Sequence, residues 1–456
     1  MPNLPLEILR QVFDHLSRQC RLQCMLVCKT WYPAALSGLD SYIILRNRID
    51  AKRMLRQLLG PYPTLQGNSV RRLSFMTSSE DYVDTKEFIQ ILSICSHLEV
   101  LELMDSDQNQ TNVAHLHRAR NCLQLQAIKA IRVPYLLSKS HEYASAVYVH
   151  GQKLTELDLY IDLECLSDIS SSNKMYTFLS KFSALKQLTL HFSCEVALHD
   201  ILEACPQLER LHLAGNYTTG TLPKHDFMLY SPSSSSNSSV EIKLPKFKLR
   251  FLCINATFLT QDLIDYLSKN TKKLYELSIL DGEFVSNPRF GFHSMLPIMS
   301  IKLQNFTCKN STIIQGLGWW FPQLARIELE GCFLHSAADD NMNILIDLYR
   351  LNLDYLSLDL GVVIRYADRK SSTIHKIDLE VIQSTRGQAF YQHKVREFDG
   401  LFHKKESYLY ARNFSKGKRI RSVQSAVVTI KVKSLNYIRL HYNTRNKLNH
   451  MVNLNA

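Results

Sequence analysis

Between Leu6 and Leu16 the apolar positions keep helical time. Leu6, Leu9, Val12, Phe13 and Leu16 fall along one side of a helix, and Pro5 suits its first turn, where a missing N–H has no partner to lose. Ile8 lies off that stripe and gives the helix a second apolar side. Leu22, Met25, Leu26 and Val27 form the next cluster and lead to Trp31. A segment this short cannot bury so many large side chains within itself. It must lean on the next domain, on a partner, or on both. The plainer reading is an amphipathic hairpin that caps whatever follows.

Tyr42-Ile43-Ile44-Leu45 reads as a strand, and residues 51–59 read as a helix stopped by Gly60-Pro61. From Val70 onward the period changes to Leu-x-x-Leu-x-Leu. Val70, Leu73 and Phe75 open it weakly. Leu98-Glu99-Val100-Leu101-Glu102-Leu103, Leu154-Thr155-Glu156-Leu157-Asp158-Leu159, Leu185-Lys186-Gln187-Leu188-Thr189-Leu190 and Leu208-Glu209-Arg210-Leu211-His212-Leu213 state it plainly. Later copies start at Leu249, Leu274, Ile298, Leu324, Leu353 and Ile374, most of them about 21 to 31 residues apart. Helical patterns precede the strands, at residues 88–95 and 201–206, and Cys-x-x-Leu-x-x-Leu-x-Leu runs from Cys95 and again from Cys205. Cys122 begins a weaker copy. Asn216 and Cys332 each follow the last strand leucine by three, where a side chain can cap the departing backbone.

One strand plus one helix leaves an apolar face open until a neighbour covers it. The pattern therefore predicts an α/β chain: short helices first, then a curved solenoid with a parallel sheet on its concave face. A doubly wound α/β domain competes, but no Gly-rich phosphate turn follows any strand. The expected divisions are residues 1–40, a linker or cap at 41–69, the solenoid at 70–380, and an irregular basic region at 381–456. Residues 231–239 are Ser-rich with nothing to bury, a surface loop or a phosphorylation site. Trp319-Trp320-Phe321-Pro322 is either packing between repeats or an exposed anchor. Residues 426–432 and 435–440 read as strand pieces able to close the open end.

Composition narrows the function. Of 456 residues, 45% are hydrophobic, enough for more than one core. The formal charge of +12 is modest for this length and demands no acidic partner. No apolar run reaches the roughly 18 residues of a membrane span, and no secretory pattern opens the chain, so a cytoplasmic or nuclear protein without membrane contact is expected. The 11 cysteines are expected to be reduced and buried. Cys20, Cys24 and Cys28 could line one helix face, though no His or paired CxxC joins them, so neither metal nor cofactor is expected. No nucleophile elbow, phosphate loop or HExxH appears, which argues against an enzyme. His403-Lys404-Lys405 and residues 416–421, with Tyr408, Tyr410 and Phe414 between, form a basic tract. It could be a solvated loop, a nuclear-import signal or a single-strand nucleic-acid site.

Leu4, Pro5, Glu7, Ile8, Leu9, Val12, Leu16, Leu26, Val27, Cys28, Lys29 and Trp31 together resemble an F-box, with Ser17-Arg18 where that family commonly has an acidic-Pro turn. The helix-then-strand units resemble the cysteine-containing leucine-rich repeats that commonly follow one. The resemblance implies a three-helix module docked on a Skp-family adaptor, and through it a cullin–RING (SCF) ubiquitin ligase. Leu4, Pro5, Ile8, Val12, Leu16, Val27 and Trp31 are carried over as adaptor-side candidates, of which some must pack inside the module. An unknown target protein would meet the polar strand positions: Glu99, Glu102, Glu156, Asp158, Lys186, Glu209, Arg210 and His212. The early strands read as acidic and the C-terminal end as basic. A scaffold without ubiquitin transfer and an RNA-associated protein using the tract near Lys416 stand as alternatives.

Overall fold

The computed structural model describes residues 4–39, 41–62, 65–76, 83–104, 111–119, 125–161, 177–192, 198–215, 247–256, 261–283, 296–308, 312–334, 343–359, 376–384, 387–394, 408–411, 425–441 and 449–453. The Ser-rich stretch 231–239, Asn216, Cys122, residues 403–405, Phe414 and residues 416–421 lie outside these. The chain divides into two units, residues 1–208 with 215–220, and residues 209–214 with 221–456.

The first unit opens with three helices, α1 (Leu6–Asp14), α2 (Arg18–Met25) and α3 (Trp31–Leu39). Pro5 sits at the N-cap of α1, and its carbonyl accepts from the Ile8 and Leu9 N–H groups, both at 3.1 Å. Ser17, where the acidic-Pro turn is missing, caps α2 by accepting from the Cys20 N–H at 3.3 Å.

Strand–helix repeats follow: β1 (Tyr42–Leu45), α4 (Arg48–Leu59), β2 (Arg72–Phe75), α5 (Thr85–Ile94), β3 (Val100–Leu103), α6 (Thr111–Ala119), β4 (Ala130–Arg132), α7 (His141–Val149), β5 (Glu156–Ile161) and β6 (Gln187–Phe192). Each strand pairs in parallel with its predecessor. The stacking register is set just before the strands. The N–H of Arg71 bonds the Ser41 carbonyl, Glu99 bonds Arg71, Lys129 bonds Glu99, Thr155 bonds Lys129 and Lys186 bonds Thr155, at 2.7 to 2.9 Å. Each repeat thus templates the next. Leu73, Leu101 and Ile131, aligned across three strands, are closed from solvent, as are Phe88, Ile91 and Leu92 of α5. Each such side chain contributes about 1.5–3 kcal/mol. The turn into each strand is the same: the Leu98 N–H bonds the Cys95 carbonyl, Leu185 bonds Phe182 and Leu208 bonds Cys205, at 3.0 to 3.1 Å.

The second unit keeps the logic with β7 (Arg210–Gly215), β8 (Phe251–Asn255), β9 (Glu276–Glu283), β10 (Ser300–Cys308), β11 (Arg326–Glu330), β12 (Phe333–Leu334) and β13 (Asn343–Asp359). From β7 to β11 and on to β13 the long neighbours are parallel. The fold is α/β, of stacked repeats on a largely parallel sheet. Phe321 is buried and its carbonyl accepts from the Leu324 N–H at 3.0 Å, so this ring occupies the place Cys95 holds. That settles Phe321 as packing between repeats.

Past Ile374, where the sequence pattern blurs, the structure keeps strands: β14 (Lys376–Gln383), β15 (Gly387–Lys394), β16 (Tyr408–Ala411), β17 (Ser425–His441) and β18 (Asn449–Asn453). β17 runs parallel to β13 along its length and parallel to β14 over its first half, while β18 pairs antiparallel with its second half. β14–β15 and β15–β16 are antiparallel. The two strand pieces read at 426–432 and 435–440 are one strand. A register shift opposite Leu348 and Asn352 turns Leu435 back inward, so Val428, Ile430, Val432, Leu435, Ile438 and Leu440 are all buried.

Candidate docking surfaces

The three N-terminal helices hold a small core of their own. Leu9, Phe13, Ala34 and Ala35 are buried, and Leu6, Leu16, Cys24, Met25 and Trp31 pack against them. The Phe13 and Trp31 rings meet edge-on, with centroids 5.3 Å apart. What this core leaves out is apolar too. Ile8 is 42% exposed, Val12 50%, Leu26 87% and Val27 60%, and Leu4, Leu22 and Tyr32 are also open. Ile8 and Val12 lie four apart and therefore on one side of α1, so Val12 leaves the stripe of Leu6, Leu9, Phe13 and Leu16 on which its spacing places it and joins Ile8 outside the core. The structure thus divides the adaptor-side candidates. Leu4, Ile8, Val12 and Val27 face outward with Pro5 exposed at the head of α1, whereas Leu16 and Trp31 lie against the core.

The cysteine spacing in this module does not make a metal face. α2 ends at Met25 with Leu26 as its C-cap, so Cys28 lies beyond the helix that carries Cys20 and Cys24. Among the described residues no cluster of three metal-ligating side chains occurs.

A second candidate surface is the side of the first unit's sheet that carries the polar strand positions. Strand alternation puts Glu102, Glu156, Asp158 and His191 there, away from the buried leucines. The acids are not bare. Arg72 of β2 and Arg132 of β4 both grip Glu102, Arg132 at 3.3 Å, and Arg132 also reaches Glu156 at 2.7 Å. Lys129 holds Glu99 at 2.7 Å, with Arg71 at 3.8 Å. The result is a ladder of alternating charge across strands, and the hydrogen bond that Arg132 donates to Glu156 is the main cause that raises the Arg132 pKa. Glu102 is closed from solvent inside it. The acidic reading of these strands is corrected accordingly. It counted the glutamates and missed Arg71, Arg72, Lys129 and Arg132, which parallel stacking brings beside them from repeats about 30 residues away.

The remaining candidates are scattered. Lys186 is exposed at the head of β6. In the second unit Glu209 lies 3.8 Å from Arg250, Arg210 covers the Phe251 ring at 4.4 Å, and His212 is half-buried on β7. Glu99, Glu102, Glu156, Asp158 and Lys186 therefore belong to one unit, and Glu209, Arg210 and His212 to the other. No helix among the described residues is long and apolar enough to cross a membrane.

Comparison with known proteins bears on the module that carries the first surface. The F-box-like family model matches residues 1–40, so the chain opens with an F-box-like domain. No curated protein matches the chain. Among solved structures it is similar to TLR13 in complex with ssRNA13, at 13% identity and a TM-score of 0.39, covering 72% of this chain and 45% of that one. It is also similar to the yeast Rad7–Elc1 complex, at 14% identity and a TM-score of 0.34, covering 74% of this chain and 91% of that one. The chain thus spans under half the length of the first of these.

Proposed function

We propose that this chain is the substrate-recognition subunit of an SCF-type ubiquitin ligase. Its F-box-like domain holds a Skp-family adaptor, and its repeats, of the cysteine-containing leucine-rich type, hold a target protein. The observation that carries the reading is the split within α1. The residues that keep the module folded, Leu9 and Phe13, are buried, while Ile8 and Val12 remain in water on a module that fits the F-box-like family. Apolar side chains left outside an already complete core are what a docking surface needs. Buried cysteines at the helix-to-strand turns, Cys95 and Cys205, support the repeat type. Cysteines that are all free among the described residues suit the reducing cytoplasm or nucleus.

In this role the chain does no bond chemistry. It raises the effective concentration of target lysines near a ubiquitin-charged enzyme carried elsewhere in the assembly. The test is co-purification of the full chain with a Skp-family adaptor. The double substitution Ile8→Asp with Val12→Asp adds charge to the exposed face and leaves the core residues in place. It is expected to weaken binding by about 100-fold or more, while the thermal melt stays close to that of the parent. Undiminished binding contradicts the reading.

A further inference from the structure

The open face of the first unit ends in an arrangement that neither the F-box-like module nor the charge ladder uses. The chain leaves β4 through Val133-Pro134-Tyr135. The Pro134 carbonyl accepts from the Leu137 and Ser138 N–H groups at 2.9 and 3.2 Å, and this tight turn opens the 3-10 helix Leu137–Lys139. The turn folds Lys139 back over Tyr135. Its ammonium lies 4.7 Å from the Tyr135 ring centre and 4.5 Å from that of Tyr160, near the end of β5. His191 stands opposite Tyr160 in the β5–β6 register and closes a third side, 4.6 Å from Tyr135 between ring centres. The two tyrosine rings meet edge-on at 5.9 Å. Asp158, two residues before Tyr160 on the same face, supplies a carboxylate. Its Oδ1 is buried, lies 3.4 Å from His191 Nε2, and makes no well-aligned hydrogen bond among the described residues.

Two aromatic faces on one cation with an acid beside them make a receptor for an alkylammonium group, because ring quadrupoles and a carboxylate both attract positive charge. Lys139 is the internal occupant and shows which chemistry fits. It is held at an accessible place: Tyr135 is 42% exposed and Leu136 beside it 60%. Lys139 is itself only half-buried, so its side chain has a way out to water that leaves the rings and Asp158 in place for another cation. Neighbouring Arg132 and Glu156 offer a visiting peptide further polar contacts on the same face.

We propose that Tyr135, Tyr160, His191 and Asp158 form a site for a lysine side chain of a partner protein, with Lys139 occupying it until the partner arrives. The inference goes beyond the ligase reading and does not depend on it, since the site recognises a cation whether or not an adaptor is bound.

The probe is n-butylammonium chloride, titrated at constant ionic strength into the full chain carrying 3-fluorotyrosine, with the fluorine resonances of Tyr135 and Tyr160 as the readout. Lys139→Ala is expected to give a saturable shift at millimolar concentration, about fivefold tighter than the parent, which must first displace its own lysine. Adding Tyr135→Leu, at an exposed position, is expected to abolish the shift of Tyr160, and n-butanol should produce none. Equal titration of parent and Lys139→Ala overturns the proposal, and so does a Tyr160 shift that survives loss of Tyr135.

Discussion

Cys332 lies just past β11, and its Sγ donates to the Leu303 carbonyl of the preceding repeat at 3.3 Å. It caps the departing chain as its spacing from Leu329 predicts. Gly331 before it has φ +63°, a backbone conformation that favours glycine, and a Cβ there would come within 2.6 Å of Asn305 Oδ1. Burial pushes the Cys95, Cys205 and Cys332 thiols up to about 12 and the Cys253 thiol to about 11, while Cys20 and Cys28 are exposed. Only the thiolate alkylates. Iodoacetamide at pH 8 is therefore expected to label Cys20 and Cys28 in the native protein, and the four buried thiols only after denaturation. Mass spectrometry of labelled peptides checks this, and native labelling of Cys95 or Cys205 contradicts it. The buried positions of Cys95 and Cys205 were legible in the sequence because a cysteine three residues before a strand leucine falls at a repeated turn. The place of Phe321 in that same turn was not, because a ring there breaks the cysteine spacing while filling the same space.

At the scale of the element, alternation along a strand tells which residues share a face but not what the next strand sets beside them. Glu102 looked available as a target contact, yet stacking pins it between Arg72 and Arg132, two arginines that remain about 40% exposed. Glu102→Gln removes the charge both were holding. Because the arginines keep much of their water, the expected loss is about 1–2 kcal/mol rather than the larger cost of a fully buried pair. Urea denaturation of the variant measures it, and a change below about 0.3 kcal/mol would mean the ladder is decorative. α1 gave a different lesson. Its periodicity marked both apolar sides, including the odd position of Ile8, but could not say which side the module keeps for itself. The packing of Phe13 on Trp31 decides that. β17 was read as two pieces because its inward positions shift phase between Val432 and Leu435. Only pairing with β13, from which it is separated by 82 residues at Ser434 and Asn352, makes it one strand.

For the molecule as a whole, the solenoid class was readable because every repeat restates one template, and a template repeated is harder to mistake than any single strand. Partners were less readable, since they meet surfaces assembled from residues far apart in the chain, as the cage around Lys139 and the ladder around Glu102 both are. The account rests on one division of labour: an apolar face on the F-box-like domain, left outside its core, meets an adaptor, and the repeats take no part in that contact. Amide hydrogen exchange of the full chain, alone and with a purified Skp-family adaptor, tests this most directly. The account predicts that the adaptor slows exchange within residues 4–12 and 22–32 and leaves the strands of the repeats unchanged. No slowing there, or slowing confined to the repeats, would contradict it.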